Sequence, residues 1–206
     1  KRDEMGNIII KGSNNLNDKI EFDVIPDRIE AGTFMIATAM CKGKVELINI
    51  NPNHLSIVID KLIESGVSIN VKDTSLIIEM HKKPFPVDMD TRIYPGFPTD
   101  LQAQWMALMA IAKGSSKIID NIYTDRFTHV AELERLGANI HLDNNLAIIT
   151  GVDNLYGAQV MSTDIRASAS LVIAGLFAKG KTKISRIYHI DRGYENIENK
   201  FKKLGS

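Results

Sequence analysis

The chemistry this sequence offers is carried by arginine and aspartate. Three Lys-Gly pairs, Lys42-Gly43, Lys113-Gly114 and Lys179-Gly180, act as rulers along the chain. Fourteen residues before each glycine stand Ile29, Asp100 and Arg166, and twelve residues after it stand Leu55, Arg126 and Arg192. One position therefore holds an apolar, an acidic and a basic residue, and the other holds leucine once and arginine twice. The repeating frame dictates neither. Sixteen residues before the glycines are Asp27, Pro98 and Asp164. Aspartate caps helix amino termini well, which is the favoured reading of Asp27; for Asp164, capping and function both stand. Guanidinium forks suit the oxygens of phosphate and carboxylate. A carboxylate can orient or deprotonate a hydroxyl, although an aspartate among arginines stays ionised and is a weak base unless desolvated. Arg126 and Arg192 are read at helix starts, where the macrodipole opposes a cation. An anion shared with the helix N–H groups would explain them; pairing with Asp125, Asp191 or another surface acid is the alternative. Asp100, Arg126, Asp164, Arg166 and Arg192 together suit an anionic substrate held by arginines.

The elements that must position these residues recur three times. Each Lys-Gly pair ends an apolar run: "AGTFMIATAMCKG", "LQAQWMALMAIAKG" and "ASASLVIAGLFAKG". Short strand-like stretches follow, then amphipathic segments ending in glycine: "HLSIVIDKLIESG", "THVAELERLG" and "YENIENKFKKLG". Gly43 to Gly66 and Gly114 to Gly137 each span 23 residues, and Gly180 to Gly205 spans 25. Strand pairs, "VSINVKDTSLIIEM" and "ANIHLDNNLAIITG", follow the first two copies only. The unit reads strand–helix–strand–helix–strand–strand. Its first helix is apolar nearly all round and must be buried; its second has a polar face. Three buried helices imply a helical centre wrapped by sheets. The closing glycines suit left-handed C-cap positions. "NIIIKGSNNL" (Asn7 to Leu16) resembles "LAIITGVDNL" in the second copy and reads as the closing strand of a preceding unit. Residues 1–12 are thus assigned to an upstream domain, and 13–206 to three repeats of which the last is truncated. A piece of a longer protein is expected.

Composition narrows the classes. The chain of 206 residues carries 25 basic and 25 acidic side chains, so it lacks the positive field of a generic nucleic-acid or membrane-surface binder. Cys41 is the single cysteine, which excludes an internal disulfide and suits a reducing cytoplasm. No apolar run approaches the roughly 18 residues of a membrane helix, and "KRDEMGNIII" is not a signal peptide. Trp105, Met106 to Met109 and Cys41 are expected in the core. His54, His129 and His189 lack metal-ligand spacing, and neither a dinucleotide fingerprint nor a P-loop is present. No metal or organic cofactor is expected.

Four long segments carry a family resemblance: "YPGFPTDLQAQ" (Tyr94 to Gln104), "DRFTHVAELERLGA" (Asp125 to Ala138), "TDIRASASLVIAG" (Thr163 to Gly175) and "IYHIDRGYENIENKFKKLG" (Ile187 to Gly205). With "PDRIEAGTF" (Pro26 to Phe34) they resemble the bacterial UDP-N-acetylglucosamine 1-carboxyvinyltransferase family. The resemblance implies an α/β fold, an inside-out α/β barrel in which each of two domains holds three βαβαββ units. It also implies a cytoplasmic enzyme of peptidoglycan synthesis. Such an enzyme transfers the enolpyruvyl group of phosphoenolpyruvate to the 3′-hydroxyl of UDP-N-acetylglucosamine through a tetrahedral adduct, without metal or cofactor. Asp100 would be the base for the sugar hydroxyl, helped by Thr99. Ile122 would contact the nucleotide sugar through its backbone. Arg126 and Arg192 would manage the charge of phosphoenolpyruvate and of the domain interface, with Arg192 closing onto its carboxylate or phosphate. Asp164 and Arg166 would line the same cleft, Asp164 near the reacting carbon. The resemblance further implies a partner in the amino-terminal domain, which brings a Lys-Asn pair, a catalytic loop and most uridine contacts; Cys41 does not match that loop's cysteine. One rival is the shikimate-pathway enolpyruvyl transferase, against which "YPGFPTDLQAQ" and "HIDRGYE" weigh. The other is a non-catalytic binding module of similar fold, such as an RNA-end-processing relative, against which the neutral charge weighs.

Overall fold

The architecture follows from where helices are capped. The structure, a computed structural model, describes residues 1–15 and 19–205. Asp27 accepts hydrogen bonds from the N–H groups of Ile29 at 2.7 Å and Glu30 at 3.2 Å and so starts helix α1, Arg28–Cys41. Strand β1 (Lys44–Ile48), a 3₁₀ turn (Pro52–Leu55), helix α2 (Ser56–Glu64) and the hairpin β2 (Ser68–Val71) and β3 (Ser75–Glu79) complete the first unit. The second begins with β4 (Met89–Asp90). Pro98, which has no side-chain acceptor, stands at the cap position, and the chain enters α3 (Gln102–Met109) through a 3₁₀ turn, Thr99–Leu101. It continues through β5 (Ser115–Ile119), α4 (Val130–Arg135), β6 (Asn139–Asp143) and β7 (Leu146–Thr150). The third comprises β8 (Gln159–Met161), α5 (Ile165–Phe177), β9 (Lys183–Ser185), α6 (Tyr188–Asp191) and α7 (Ile197–Lys203).

Helices α1, α3 and α5 pack against one another at the centre, and the sheets lie outside them. Every residue of α3 is buried, Trp105 and Met106 to Met109 among them. Each such large apolar side chain contributes about 1.5–3 kcal/mol by leaving water. Among the described residues three separate sheets form, ordered β1-β3-β2, β4-β5-β7-β6 and β8-β9. In the first two copies the second hairpin strand pairs antiparallel with the strand that follows the buried helix, Val45 facing Ile78 and Ile118 facing Ala147. The third copy has only the parallel pair β8–β9. The closing glycines Gly66, Gly137 and Gly205 have φ of 95°, 96° and 95°, the left-handed region where a β-carbon would be strained.

One hydroxyl joins all three units. Tyr194 Oη lies 2.9 Å from Thr33 Oγ1 of α1 and accepts from Gln104 Nε2 of α3 at 3.2 Å. Thr33 and Gln104 each stand ten residues before their anchor glycine, so the hub uses equivalent positions. Burial pushes the Tyr194 phenol up from its ordinary value.

Two expectations change. Asn7 to Ile10 form no strand; a lone Arg2–Ile8 bridge is present, and Ile8, Ile9 and Ile10 are exposed. A strand needs neighbours on which to complete its backbone hydrogen bonds, and among the described residues only Lys1 to Asp3 lie alongside, bonded at Lys1–Ile9 and Asp3–Asn7. Leu16, the last residue of that stretch, falls outside them. Cys41 is exposed rather than buried, because it ends α1 at the rim of a groove shared with Leu176, Phe201 and Leu204. That groove still removes water from the thiol and pushes it up to about 11. No described helix is long and apolar enough to cross a membrane.

Candidate active site

The central packing brings the amino ends of α3 and α5 together, and with them Asp100 and Arg166. Asp100 sits in the 3₁₀ turn before α3 with its side chain 40% exposed. Arg126 Nη1 donates to Asp100 Oδ1 at 2.7 Å, and Arg166 Nε lies 3.9 Å from Oδ2. Both guanidinium groups are mostly buried, so the carboxylate is flanked by two partly desolvated cations. Arg166 also lies over the Tyr194 ring, 5.4 Å from its centroid, and its Nη1 is buried without a partner among the described residues.

Thr99 links this pair to a deeper carboxylate. Arg126 Nη1 donates to Thr99 Oγ1 at 3.2 Å, and Thr99 Oγ1 donates to Asp120 Oδ2 at 2.7 Å. Asp120 is fully buried just beyond β5. Its Oδ1 accepts from Thr91 Oγ1 at 2.6 Å and from the N–H groups of Ile122 at 3.0 Å and Tyr123 at 2.8 Å. The loop is thereby pinned, and a turn from Tyr123 O to Arg126 N, 3.0 Å, delivers the Arg126 side chain. Ile122 itself is exposed at the rim.

Asp164 caps α5, its Oδ1 accepting from the N–H groups of Arg166 and Ala167 at 2.8 Å each. It also lines a cleft of about 420 Å³ together with Tyr123, Asp125, Arg126, Thr128, Thr163 and Ile165. A larger hollow of about 630 Å³ runs along α7 and shares no residue with this cluster. The smaller cleft is the candidate site, because Arg126, which lines it, also holds Asp100; Asp100, Thr99 and Arg166 do not line it themselves.

Neither Arg126 nor Arg192 begins a helix, which corrects the reasoning from the dipole. Arg126 ends a turn four residues before α4, where Phe127 and His129 drop into the core. Arg192 is the C-cap of α6, the end at which the dipole favours a cation. Its side chain is exposed and makes no hydrogen bond or ion pair among the described residues. Its backbone nevertheless lies beside the cluster. A β-carbon on Gly193 would stand 2.2 Å from Ile165 Cγ2 and 3.5 Å from Arg166 Nη1, so the glycine lets this turn seat on the first turn of α5.

Two residues escaped the sequence reading of the site. Asp120 stands six residues after its anchor glycine, where the other copies carry Asn49 and Arg186. Counting at that offset would have marked it. His129 lacks metal-ligand spacing and carries no other mark in the sequence. It is fully buried with neither ring nitrogen hydrogen-bonded among the described residues. Desolvation pushes it down to about 4, Asp164 opposes the shift and Arg126 adds to it. The imidazole beneath the cleft is therefore neutral at pH 7.

Comparison with known proteins supplies the family. UDP-N-acetylglucosamine 1-carboxyvinyltransferase of Hydrogenovibrio crunogenus is 48% identical over 200 residues, covering 97% of this chain and 48% of that protein. The protein of the same name from Desulfosudis oleivorans is 49% identical over 199 residues, with coverages of 97% and 48%. The chain spans about half the length of both. The crystal structure of the enolpyruvyl transferase NikO from Streptomyces tendae superposes with a TM-score of 0.80 at 27% identity, over 88% of this chain and 43% of that one. The sequence pattern of EPSP synthase (3-phosphoshikimate 1-carboxyvinyltransferase) matches residues 1–201. With its buried helices, outer sheets and arginine-flanked aspartate, the chain belongs to the EPSP synthase family of enolpyruvyl transferases.

Proposed function

We propose that this chain supplies one wall of the active site of an enzyme that transfers the enolpyruvyl group of phosphoenolpyruvate to the 3′-hydroxyl of UDP-N-acetylglucosamine, in the cytoplasm. The other wall belongs to the half of the relatives that this chain does not span. The observation that carries the reading is the half-exposed Asp100 carboxylate between Arg126 and Arg166, at the meeting point of α3 and α5. Identity near half to proteins of that name supports the choice of sugar substrate.

In this reading Asp100 accepts the proton of the sugar hydroxyl, whose oxygen bonds to C2 of phosphoenolpyruvate while C3 takes up a proton from an acid on the other wall, the group that later takes it back. The adduct then loses a proton from C3 and phosphate from C2, which restores the double bond. Thr99 helps orient the hydroxyl. The N–H of Ile122 is committed to Asp120, so its carbonyl is the backbone group left for the nucleotide sugar. Arg126 and Arg166 offset the charge that develops near Asp100. Preorganised charge of this kind can carry a large part of a rate enhancement. Asp164 stands near the reacting carbon, and Arg192 swings from its exposed place onto the carboxylate or phosphate as the walls close. The unburied Ile8, Ile9 and Ile10 support assigning residues 1–12 to the second domain, with 13–206 forming this one.

The test is phosphate release by the full-length protein with phosphoenolpyruvate and either UDP-N-acetylglucosamine or shikimate 3-phosphate. Turnover with the nucleotide sugar is expected. Turnover with shikimate 3-phosphate alone would transfer the assignment to the shikimate-pathway reaction.

A further inference from the structure

We propose that Asp120 is a positioning residue that turns the Thr99 hydroxyl into an acceptor for ligands, so that this corner takes a hydroxyl or amide donor of the amino sugar and turns away the phosphate and carboxylate oxygens of phosphoenolpyruvate. The inference rests on the reading above and deepens it. No assignment to Asp120 follows from the family resemblance, and it touches no substrate itself.

The donor set gives the protons of the network their direction. Asp120 meets four donors, two hydroxyls and two backbone N–H groups. An ionised carboxylate has only acceptor sites, and a guanidinium only donors. The single Thr99 proton therefore goes to Asp120 Oδ2, and Arg126 Nη1 takes one of the two Thr99 lone pairs. The remaining lone pair is what a half-buried Thr99 can offer a ligand. A sugar hydroxyl or an amide N–H can fill it. A phosphate or carboxylate oxygen there would set lone pair against lone pair. Both substrates of the proposed reaction carry anionic groups, but only the nucleotide sugar also brings the hydroxyl and amide donors of an amino sugar. A hydroxyl locked as an acceptor keeps them apart, leaving the anion to the exposed arginine side.

The same carboxylate fixes the geometry around it. It holds the N–H groups of Ile122 and Tyr123, whose turn delivers Arg126, and it holds Thr99, which adjoins Asp100 in the chain. Asp120 thus reaches the candidate base through two routes, both ending on the Arg126–Asp100 pair. Asparagine at this position would keep its oxygen toward one set of donors but turn an amide N–H toward the other. If that N–H faces Thr99, the threonine proton swings toward the ligand and the selectivity inverts.

Full-length protein carries the test, with Asp120→Asn, Thr99→Val, Thr99→Ser and the double variant Asp120→Asn/Thr99→Val. Asp120→Asn is expected to raise KM for UDP-N-acetylglucosamine about tenfold, as loss of a hydrogen bond aimed at a ligand does, with KM for phosphoenolpyruvate within about threefold. Thr99→Ser keeps the hydroxyl and should recover most of the rise in KM for the sugar that Thr99→Val produces. In the Thr99→Val background, Asp120→Asn should change KM for the sugar by less than about twofold, because linked residues are non-additive. Equal rises in both KM values, or effects that multiply in the double variant, would overturn the proposal. Neutron diffraction from the deuterium-exchanged wild type reads the same inference without substrate, and it decides the matter should Asp120→Asn fail to fold. A Thr99 deuteron pointing at Asp120 is expected, and one pointing away from Asp120 overturns it. Wild-type protein that ignores UDP-N-acetylglucosamine would instead defeat the functional reading and leave the neutron result standing.

Discussion

Gly193→Ala tests whether the turn bearing Arg192 is held against α5 by close approach. The added β-carbon would stand 2.2 Å from Ile165 Cγ2, whereas carbon atoms in contact prefer about 3.5–4.0 Å. The turn must therefore retreat by roughly 1 Å or more, or Ile165 must leave its rotamer. Overpacking of this type costs about 1–3 kcal/mol. In a protein of this size each kcal/mol lowers Tm by about 2–4 °C, so a fall of roughly 2–12 °C is expected. The retreat also moves Arg192 away from the cleft, and turnover in the full-length protein should drop about tenfold or more, since small misplacements are expensive in catalysis. Ile165→Ala removes the atom that the new methyl would strike. The double variant Gly193→Ala/Ile165→Ala should accordingly lose less stability than the sum of the single changes. Differential scanning calorimetry and a phosphate-release assay on all three variants make the comparison. A Gly193→Ala protein that melts and turns over like wild type would show that the close approach positions nothing.

Three further outcomes are expected. Asp100→Asn in the full-length protein should melt within about 2 °C of wild type, as a near-isosteric change at a half-exposed site, and lose most turnover; activity within a few-fold of wild type would remove Asp100 as the base. Arg192→Ala should raise KM for phosphoenolpyruvate well above any change for UDP-N-acetylglucosamine, and parallel loss of both would deny it the anion. His129 is held near pH 4 when folded against an ordinary value of 6.5, so between these values the unfolded chain binds a proton that the folded chain refuses. Stability on this account is full above pH 6.5 and falls toward pH 4 by at most about 3 kcal/mol; urea titrations of wild type and His129→Phe across pH 4–7 should show a shallower acid limb in the variant, and identical limbs would mean that His129 is not the group responsible.

Much of the fold could be read from the sequence, because buried helices leave a plain mark. Segments such as "LQAQWMALMAIA" have no polar face, so only a central position accommodates them. The closing glycines were equally legible, since a left-handed residue ends each second helix. Comparing the copies found Asp100 and Arg166, because offsets within a helix survive repetition. It misjudged the backbone at Arg126 and Arg192, because the segments between strand and second helix differ in form. The first copy inserts a 3₁₀ turn, the second a tight turn at Tyr123, and the third the short helix α6. The Asp120 network was invisible for another reason. Its partners Thr91 and Thr99 lie 29 and 21 residues away, and no periodicity signals a contact between a loop aspartate and two distant hydroxyls.

The phenol of Tyr194 changes how the repeats relate to one another. In a linear solenoid each repeat touches only its neighbours, so an array can lengthen, shorten or fray one unit at a time. Here the three copies converge on a single oxygen, with Thr33 and Tyr194 separated by 161 residues and Gln104 and Tyr194 by 90. The arrangement is closed rather than serial. Removing the third copy takes away the phenol on which the first two meet, and removing either of those leaves the phenol one partner short. Each buried helix thus meets both of the others, and the copies differ in charge at the starts of these helices, at Ile29, Asp100 and Arg166.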